Sequence, residues 1–203
     1  MSRTGAEEDW KRSARWAGVD LRVDMVERLA RYRDWLVDEA VPAGGIGPSE
    51  AAKVDRRHIA DSILFSIVID DSSDEVWDLG SGVGLPGIPL AVLHPAVEFV
   101  LLDRSRRRTT LTRRAVRILG LKNVQVRQGE IADAPSSMST IVSRATLTPD
   151  VARRELGGRL GTGGRALIGG SWDSRPSYKG WKTVHVPASV LDQDVWLLMM
   201  QQS

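Results

Sequence analysis

Residues 77–90 read W-D-L-G-S-G-V-G-L-P-G-I-P-L, and this stretch decides the fold. Four glycines fall within the eight positions 80–87, directly after a short apolar run that is typical of a β-strand. A glycine-rich turn lets the backbone bend tightly and approach a ligand, because no Cβ atom stands in the way. The stretch therefore predicts a ligand-binding loop at the carboxyl end of the first strand of an α/β sheet.

Two motif templates fit this loop, and they point to different cofactors. Gly80, Gly82 and Gly84 give G-x-G-x-G, which is typical of S-adenosylmethionine sites. Gly82, Gly84 and Gly87 give G-x-G-x-x-G, which is typical of nicotinamide and flavin sites. The loop alone leaves both open, and the strand pattern that follows is needed to choose between them.

From residue 75 onward, the sequence contains seven short apolar runs. The candidate strands are 75–79, 97–103, 123–128, 140–145, 165–169, 182–187 and 194–200. Helix-sized connections separate the first four, which predicts parallel strands with helices on both faces, while the short connection 188–193 predicts an antiparallel hairpin at the end. A seven-stranded, mostly parallel sheet that closes with an antiparallel pair is typical of the class I S-adenosylmethionine-dependent methyltransferase (Rossmann-like) fold rather than of a dehydrogenase domain.

The residues before the sheet read as helices. One predicted helix gathers apolar residues on one side, at Met25, Leu29, Tyr32 and Leu36. Proline and glycine break the pattern at 41–48, and Ser49 is a suitable N-cap for the next helix. We expect a helical segment over residues 1–74 that packs on a Rossmann-like methyltransferase core over residues 75–203.

Composition excludes several classes of protein. The chain has no cysteine, which excludes disulfides, thiolate metal sites and a thiol nucleophile. Its three histidines are far apart and show no metal-ligand spacing. No run approaches the roughly 18 apolar residues of a membrane span, and the first residues lack a signal-peptide core. We therefore expect a soluble, cytoplasmic protein without a metal. A monomer is a separate expectation.

Charge is unevenly distributed along the chain. Residues 1–75 carry 11 Lys+Arg against 16 Asp+Glu, whereas residues 76–203 carry 17 against 10. Seven arginines and no acid fall within 104–117. This run predicts contacts with a polyanion such as RNA, with Arg106, Arg107 and Arg108 as candidates. The alternative is the solvated face of an amphipathic helix, and both can hold together.

Two acids lie at the ends of the first two predicted strands, at the positions where cofactor groups are received. Asp78 lies two residues before Gly80, where a carboxylate suits the ammonium of S-adenosylmethionine; the alternative is an acid that only hydrogen-bonds the loop backbone. Asp103 ends the second strand, where ribose hydroxyls are accepted in both cofactor classes. After the third strand, residues 128–133 read Q-G-E-I-A-D. Glu130, Ile131 and Asp133 are candidates for an adenine pocket, with a surface turn as the alternative.

The residues also narrow the transfer chemistry. Methylation at pyrimidine carbon 5 through a thiol adduct needs a cysteine, which is absent. The fourth strand is followed by S-R-A-T-L-T-P-D rather than by the Asn-Pro-Pro-aromatic run typical of exocyclic-amine methylation. A ring nitrogen such as guanine N7 is already nucleophilic, so it needs only positioning and electrostatics.

Five stretches occur in the order found in a known family. They are H-I-A-D-S (58–62), D-L-G-S-G-V-G-L-P-G-I-P-L-A (78–91), L-L-D-R-S-R-R-R (101–108), L-G-L-K-N-V (119–124) and V-S-R-A (142–145). Together they resemble the bacterial 16S ribosomal RNA guanine-N7 methyltransferases, also called glucose-inhibited division protein B. The resemblance implies S-adenosylmethionine as the methyl donor and guanine N7 of 16S ribosomal RNA, free or in the small ribosomal subunit, as the acceptor.

The resemblance also assigns individual residues. The family's cofactor contacts fall on Gly80 and Leu85 in the glycine loop, and on Arg144 in the fourth-strand motif, for which a structural salt bridge is the alternative. The dipeptide after the third strand falls on Ile131 and Ala132, where the family commonly has Ala-Glu, so backbone contacts would survive and a side-chain contact would not.

The H-x-x-D-S stretch, with His58 and Asp61, is intact, and a capping or core-polar role is as consistent with it as catalysis. Two departures bear on the substrate. The family's Asn-Leu-Thr stretch is replaced by the sequence of residues 34–49, and the Lys-Gly that ends its fifth strand is replaced by Ile168-Gly169-Gly170. A methyltransferase that acts on a small molecule and an inactive cofactor-binding relative therefore stay open as alternatives.

Overall fold

A seven-stranded sheet forms the centre of the computed structural model, which describes residues 3–70, 73–170 and 175–202. The strands are β1 (Glu75–Leu79), β2 (Glu98–Asp103), β3 (Val124–Gln128), β4 (Met138–Arg144), β5 (Leu160–Gly169), β6 (Lys182–Val186) and β7 (Val195–Gln201). Their order is β3-β2-β1-β4-β5-β7-β6. β1 to β5 run parallel, and β7 pairs antiparallel with both β5 and β6. The predicted class I methyltransferase architecture is confirmed.

The strand order places the predicted loop at the centre of the sheet. β1 pairs with β2 on one side and with β4 on the other, and its chain leaves toward β2. The carboxyl ends of these three strands therefore open a crevice at the point where the strand order reverses. Because β7 is antiparallel, its first residues lie at the same edge as the last residues of β5.

Helices cover both faces of the sheet, as predicted. The α-helices are α1 (Arg3–Trp16), α2 (Val23–Trp35), α3 (Asp61–Ile63), α4 (Gly87–Leu93), α5 (Arg106–Leu119), α6 (Pro149–Gly157) and α7 (Ala188–Leu191). The connection between β3 and β4 differs from the predicted helix-sized crossover, since it contains only a 3₁₀ turn, Ile131–Asp133. Among the described residues, no helix has the length and hydropathy needed to cross a membrane.

The segment from 48 to 68, which we call the irregular segment, is helical but not a single α-helix. It runs as a 3₁₀ helix Pro48–Lys53, a π-helical stretch Val54–Ala60, α3, and a 3₁₀ helix Leu64–Val68. The prediction of Ser49 as its N-cap is wrong. Pro48 begins the helix, because its fixed φ suits the first helical position, and Gly47 precedes it in extended geometry.

Two apolar clusters lie on the two faces of the sheet. Val76 and Leu101 belong to the larger cluster, which includes the N-terminal helices, while Trp77 and Leu102 belong to the cluster under α6. This alternation follows from the two-residue side-chain period of a strand buried on both faces. Residues 3–70 thus share one core with the sheet, and the domain boundary at 74/75 stays a prediction.

The N-terminal helices also support the glycine loop directly. Tyr32 in α2 is fully buried and donates its hydroxyl hydrogen bond to the Val83 carbonyl at 3.0 Å. A Cβ atom at Gly45 would lie 2.5 Å from Val83 Cγ1, so the chain after α2 packs closely on the loop. Residues 34–49, which replace the family's Asn-Leu-Thr stretch, therefore pack against the glycine loop at Val83.

Gly87→Ala is expected to destabilise the protein by on the order of 1–3 kcal/mol, which is typical of overpacking. A Cβ atom at Gly87 would lie 2.7 Å from Asp78 Oδ2 and 2.8 Å from Leu101 Cγ. Gly157→Ala is the control, because its Cβ would make ordinary contacts at 3.5 Å or more. Chemical denaturation measures both variants, and equal midpoints would contradict the expected close packing at Gly87.

Candidate functional site

The glycine loop lies at the end of β1 in a backbone conformation that requires glycine. Gly80, Gly82 and Gly84 have φ values of +80°, +60° and +103°, where side chains are disfavoured. A Cβ atom at Gly82 would meet nothing within 4 Å among the described residues. The space beside the Gly82 backbone is therefore unfilled, so a ligand can approach the backbone there.

Asp78 is a fully buried carboxylate beneath this loop. Its Oδ2 accepts a hydrogen bond from the Gly87 N–H at 2.8 Å, while its buried Oδ1 has no partner among the described residues. Burial raises the pKa of Asp78 to about 7, with Asp103 adding to the rise, and the Gly87 N–H and Arg144 opposing it. An unpartnered buried oxygen on a desolvated carboxylate marks a place for a cationic donor.

Asp103, at the end of β2, is already bound by protein groups. Its Oδ2 accepts from the Gly82 N–H at 2.9 Å, and its Oδ1 accepts from the Ser105 N–H at 2.8 Å. Arg108 Nε lies 3.3 Å from the same Oδ1. A carboxylate offers about four acceptor positions, so Asp103 ties β2, the glycine loop and α5 together and keeps capacity for one more donor. Its predicted ribose role stays a prediction.

Arg144, at the end of β4, meets the H-x-x-D-S stretch. Its Nη1 donates to the Arg57 carbonyl at 3.1 Å and to Asp61 Oδ2 at 3.3 Å, and its Nη2 donates to His58 Nδ1 at 3.1 Å. Arg144 Nε is buried without a partner among the described residues. The guanidinium thus joins the irregular segment to the sheet, as the structural salt-bridge interpretation of Arg144 predicts. Its Nε–H remains unused among the described residues.

His58 and Asp61 are not arranged as an acid–base pair. Burial, with the charge of Arg144, lowers the pKa of His58 to about 4, so the ring is neutral at pH 7. Its Nδ1 lone pair is occupied by the Arg144 donor, and its Nε2 lies 3.2 Å from Glu50 Oε2 without hydrogen-bond alignment. Burial raises the pKa of Asp61, and Arg144 opposes that rise. Both residues position Arg144.

The predicted adenine region is a turn on the surface. Glu130 and Asp133 close it reciprocally, each side chain accepting from the other residue's backbone N–H, with Glu130 N to Asp133 Oδ2 at 2.7 Å. These two acids therefore serve the turn, which was the alternative interpretation. Ile131 is half-buried and Ala132 is exposed, so this dipeptide is accessible, and its cofactor contact stays a prediction.

Helix α5 carries the arginine-rich run. Thr109, Thr112, Ala115 and Leu119 face the core, and Thr112 Oγ1 donates to the Gly82 carbonyl at 3.0 Å. Arg104, Arg106, Arg107 and Arg117 are exposed and have no ion-pair partner among the described residues. Arg114 is different, since it pairs with Glu39. The helix is amphipathic, and an exposed, unneutralised positive surface begins beside Asp103.

An open cavity of about 610 Å³ adjoins Arg144, beyond the ends of β4 and β5. Its walls include Lys53, Arg56 and Arg57 from the irregular segment and residues 191–196 before and within β7. Sequence reasoning missed the β7 wall. The signal was available, because an antiparallel last strand begins at the edge where the parallel strands end. Gly170 also lines this cavity. It belongs to the stretch after β5 that replaces the family's Lys-Gly.

Comparison with known proteins gives one family. The family model for rRNA small subunit methyltransferase G, GidB, matches residues 25–166. "Ribosomal RNA small subunit methyltransferase G" of Kineococcus radiotolerans is 40% identical over 123 residues, covering 60% of this chain and 48% of that protein. The protein of the same name from Mycolicibacterium smegmatis is 34% identical over 148 residues, covering 71% and 63%. The chain therefore matches about half the length of several such relatives.

Solved structures agree on the fold. A SAM dependent methyltransferase from Aquifex aeolicus has a TM-score of 0.55 at 18% identity, covering 78% of this chain and 100% of that one. A predicted O-methyltransferase from Agrobacterium tumefaciens also has a TM-score of 0.55 at 17% identity, covering 67% and 77%. At these identities, the similarity establishes the architecture alone.

Without added ligand, Asp78→Asn is expected to gain stability over the wild type as pH rises from about 5 to 8. The folded pKa of about 7 exceeds the ordinary aspartate pKa of 3.8, so the wild-type folded state holds an extra proton in this range and loses stability as pH rises. The gain should be on the order of 1–3 kcal/mol, since one pKa unit corresponds to about 1.4 kcal/mol. Denaturant unfolding at several pH values measures it.

Glu98→Gln is the control for this measurement, because Glu98 is an exposed carboxyl at the opposite end of β2. Its unfolding profile shows how much of the effect follows from the loss of any surface carboxyl. Parallel pH profiles for Asp78→Asn and the wild type would contradict a desolvated, proton-binding Asp78.

Proposed function

The chain belongs to the rRNA small subunit methyltransferase G family, and we propose that it transfers a methyl group from S-adenosylmethionine to guanine N7 of 16S ribosomal RNA. The observation that carries the donor part of this proposal is the buried, unpartnered Oδ1 of Asp78 beneath an open glycine loop, and the family match supports the acceptor. A cytoplasmic location, where ribosomal RNA is found, is part of the same proposal.

The residues present fit the proposed donor. S-adenosylmethionine carries an ammonium, a carboxylate, ribose hydroxyls and an adenine, and it supplies an electrophilic methyl carbon on a sulfonium. Asp78 Oδ1 would accept from the ammonium, directly or through a water. The loop backbone at Gly80, Gly82, Gly84 and Leu85 would line the methionine portion without Cβ atoms at the glycines. A buried carboxylate at this position suits a cationic ligand better than an anionic one. The dehydrogenase interpretation requires a pyrophosphate, which is an anion.

The ribose and adenine of S-adenosylmethionine would lie beyond the ends of β2 and β3. Asp103 keeps one acceptor position for a ribose hydroxyl, and the backbone at Ile131 and Ala132 is accessible for the adenine edge. Arg144 has a buried, unused Nε–H, which supports a role at the carboxylate of the methionine portion. Its other nitrogens are held by Asp61, His58 and a backbone carbonyl, so the guanidinium is fixed in place.

The proposed acceptor needs no general base. Guanine N7 has an in-plane lone pair and carries no proton, so the protein must hold the base in line with the methyl carbon and exclude water. The site agrees with this requirement, because the one imidazole beside Arg144 has its Nδ1 lone pair engaged by that guanidinium. Positioning is the contribution left to these side chains.

Helix α5 supports RNA as the substrate. Its first turn contains Arg106, Arg107 and Arg108 and no acid, although cations at a helix N-terminus oppose the macrodipole. Arg106 and Arg107 have no acidic partner among the described residues. Phosphates would be favoured by the arginines and by the helix terminus together. The RNA contacts are therefore proposed for Arg106 and Arg107, with Arg108 shared between RNA and Asp103.

Asp103→Ala is expected to weaken binding of S-adenosylmethionine by about tenfold to a hundredfold, since hydrogen bonds to a charged group contribute about 1.5–3 kcal/mol. Isothermal titration calorimetry measures this, with Glu98→Ala at the other end of β2 as the matched control. Tight binding of NAD instead of S-adenosylmethionine by the wild type would overturn the methyltransferase proposal. An unchanged affinity in Asp103→Ala would remove only the ribose assignment.

Arg106→Glu with Arg107→Glu is expected to weaken binding of 16S ribosomal RNA and to reduce its salt dependence, by a slope of about one for each phosphate that is no longer bound. Donor affinity should stay unchanged. Arg153→Glu with Arg154→Glu changes the charge equally on the exposed face of α6 and is the control. Filter binding at several salt concentrations measures RNA affinity, and an equal loss in both double variants would indicate a nonspecific charge effect.

Methyl transfer itself is tested with labelled donor and undermethylated small ribosomal subunits or naked 16S RNA. Label should appear at guanine N7, identified by mass mapping of RNA fragments. Donor binding without transfer to either substrate would favour the small-molecule enzyme or the inactive relative. Comparison of the two RNA substrates shows which form the protein recognises.

A further inference from the structure

The 610 Å³ cavity beside Arg144 has no assigned role, and its position suits the acceptor. It shares Arg144 with the proposed donor site and extends toward the start of β7. Its volume falls in the range of roughly 300–1,000 Å³ that is typical of small-molecule and cofactor pockets. The residues 191–196 that form its far wall lie outside the range matched by the family model, 25–166.

A tryptophan in that wall stacks on a histidine of the neighbouring strand. Trp196 lines the cavity, is half-buried, and stacks on His185 of the paired strand β6 with ring centroids 4.4 Å apart and planes at 24°. His185 Nε2 in turn lies 2.7 Å from Asp194 Oδ1, which also accepts the Ala188 N–H at 3.1 Å. His185 therefore covers one face of the indole, and a planar ligand ring would stack on the other face.

The irregular segment contributes cations to the cavity wall, and one pair of them is incompletely neutralised. Arg56 contacts both Asp9 and Asp192. Lys53 and Arg57, by contrast, share the single carboxylate of Glu50 at 3.3 Å each. Their side chains are 51% and 55% exposed, so they are accessible from the cavity and from solvent. This pair carries one positive charge in excess, which suits a single phosphate group.

We propose that this cavity holds one unpaired nucleotide of the RNA substrate, with its base stacked on Trp196 and its phosphate held by Lys53 and Arg57. The inference rests on the proposed function, because the cavity is placed beside the donor site by Arg144. An aromatic side chain and a cationic pair that line the same cavity are the two elements by which proteins bind single-stranded nucleic acid. The proposed site extends the RNA contact beyond α5 to the other side of the crevice.

Binding of GMP and of guanosine, followed by tryptophan fluorescence and by calorimetry, tests the proposal. GMP should bind saturably to the wild type and quench its fluorescence. Trp196→Ala should weaken GMP binding about tenfold, since base stacking contributes about 1–3 kcal/mol. Trp196→Phe should keep most of the affinity and lose most of the quenching, while the control Trp16→Phe in α1 should keep both.

The phosphate half is tested separately with Lys53→Ala and Arg57→Ala. Each should weaken GMP binding several-fold and leave guanosine binding unchanged. Equal losses for GMP and guanosine would overturn the phosphate assignment, as would no loss for either. GMP binding that is absent in the wild type, or unchanged in Trp196→Ala, would overturn the stacking assignment; Trp196→Phe decides the same point if the alanine variant does not fold.

Failure of this inference is distinguishable from failure of the proposed function. Calorimetry with S-adenosylmethionine should give the wild-type affinity in all these variants, and methylation of RNA should show a raised KM in Trp196→Ala. If donor binding and RNA methylation proceed in Trp196→Ala with an unchanged KM, only the nucleotide cavity is wrong. If the wild type binds no donor, the proposed function is wrong.

Discussion

The buried carboxylate of Asp78 is the constraint on which the rest of the site depends. Its hydrogen bond from the Gly87 N–H fixes the start of α4 against the end of β1, and it requires that Gly87 has no Cβ atom. Holding this charge away from water is unfavourable in the empty protein, as the raised pKa of about 7 indicates. A cationic ligand at the unpartnered Oδ1 would offset that cost. Asp78 therefore lowers the folding stability of the ligand-free protein and favours ligand binding.

Three polar contacts arrange the crevice around Asp78. Asp103 joins the glycine loop to α5, Arg144 joins β4 to the irregular segment, and Tyr32 joins α2 to the loop. Each contact links the proposed donor site to a different neighbouring element of the fold. Arg108 is the clearest case, because the same side chain contacts Asp103 and belongs to the exposed basic surface. Under the proposed function, Arg108 would couple the binding of RNA to the binding of the methyl donor.

Much of this arrangement was predictable from the sequence, and the exceptions have physical reasons. All seven strands and the antiparallel ending followed from periodicity and connection length, because both are local properties. Ser49 was predicted as a cap because serine is a preferred capping residue, but Pro48, whose fixed φ suits the first helical position, already begins the helix. The pairing of Arg144 with His58, and the cavity wall at Trp196, join residues far apart in sequence, so only the folded chain brings them together.

The most direct test of the central claim is a crystal structure of the protein with S-adenosylhomocysteine, which retains the ammonium, carboxylate, ribose and adenine of the donor. We predict that the ammonium lies within hydrogen-bond distance of Asp78 Oδ1, directly or through one water, while Oδ2 keeps its bond from Gly87. An empty crevice at saturating ligand, or a bound ligand whose ammonium is held elsewhere while Asp78 Oδ1 stays unpartnered, would contradict the claim.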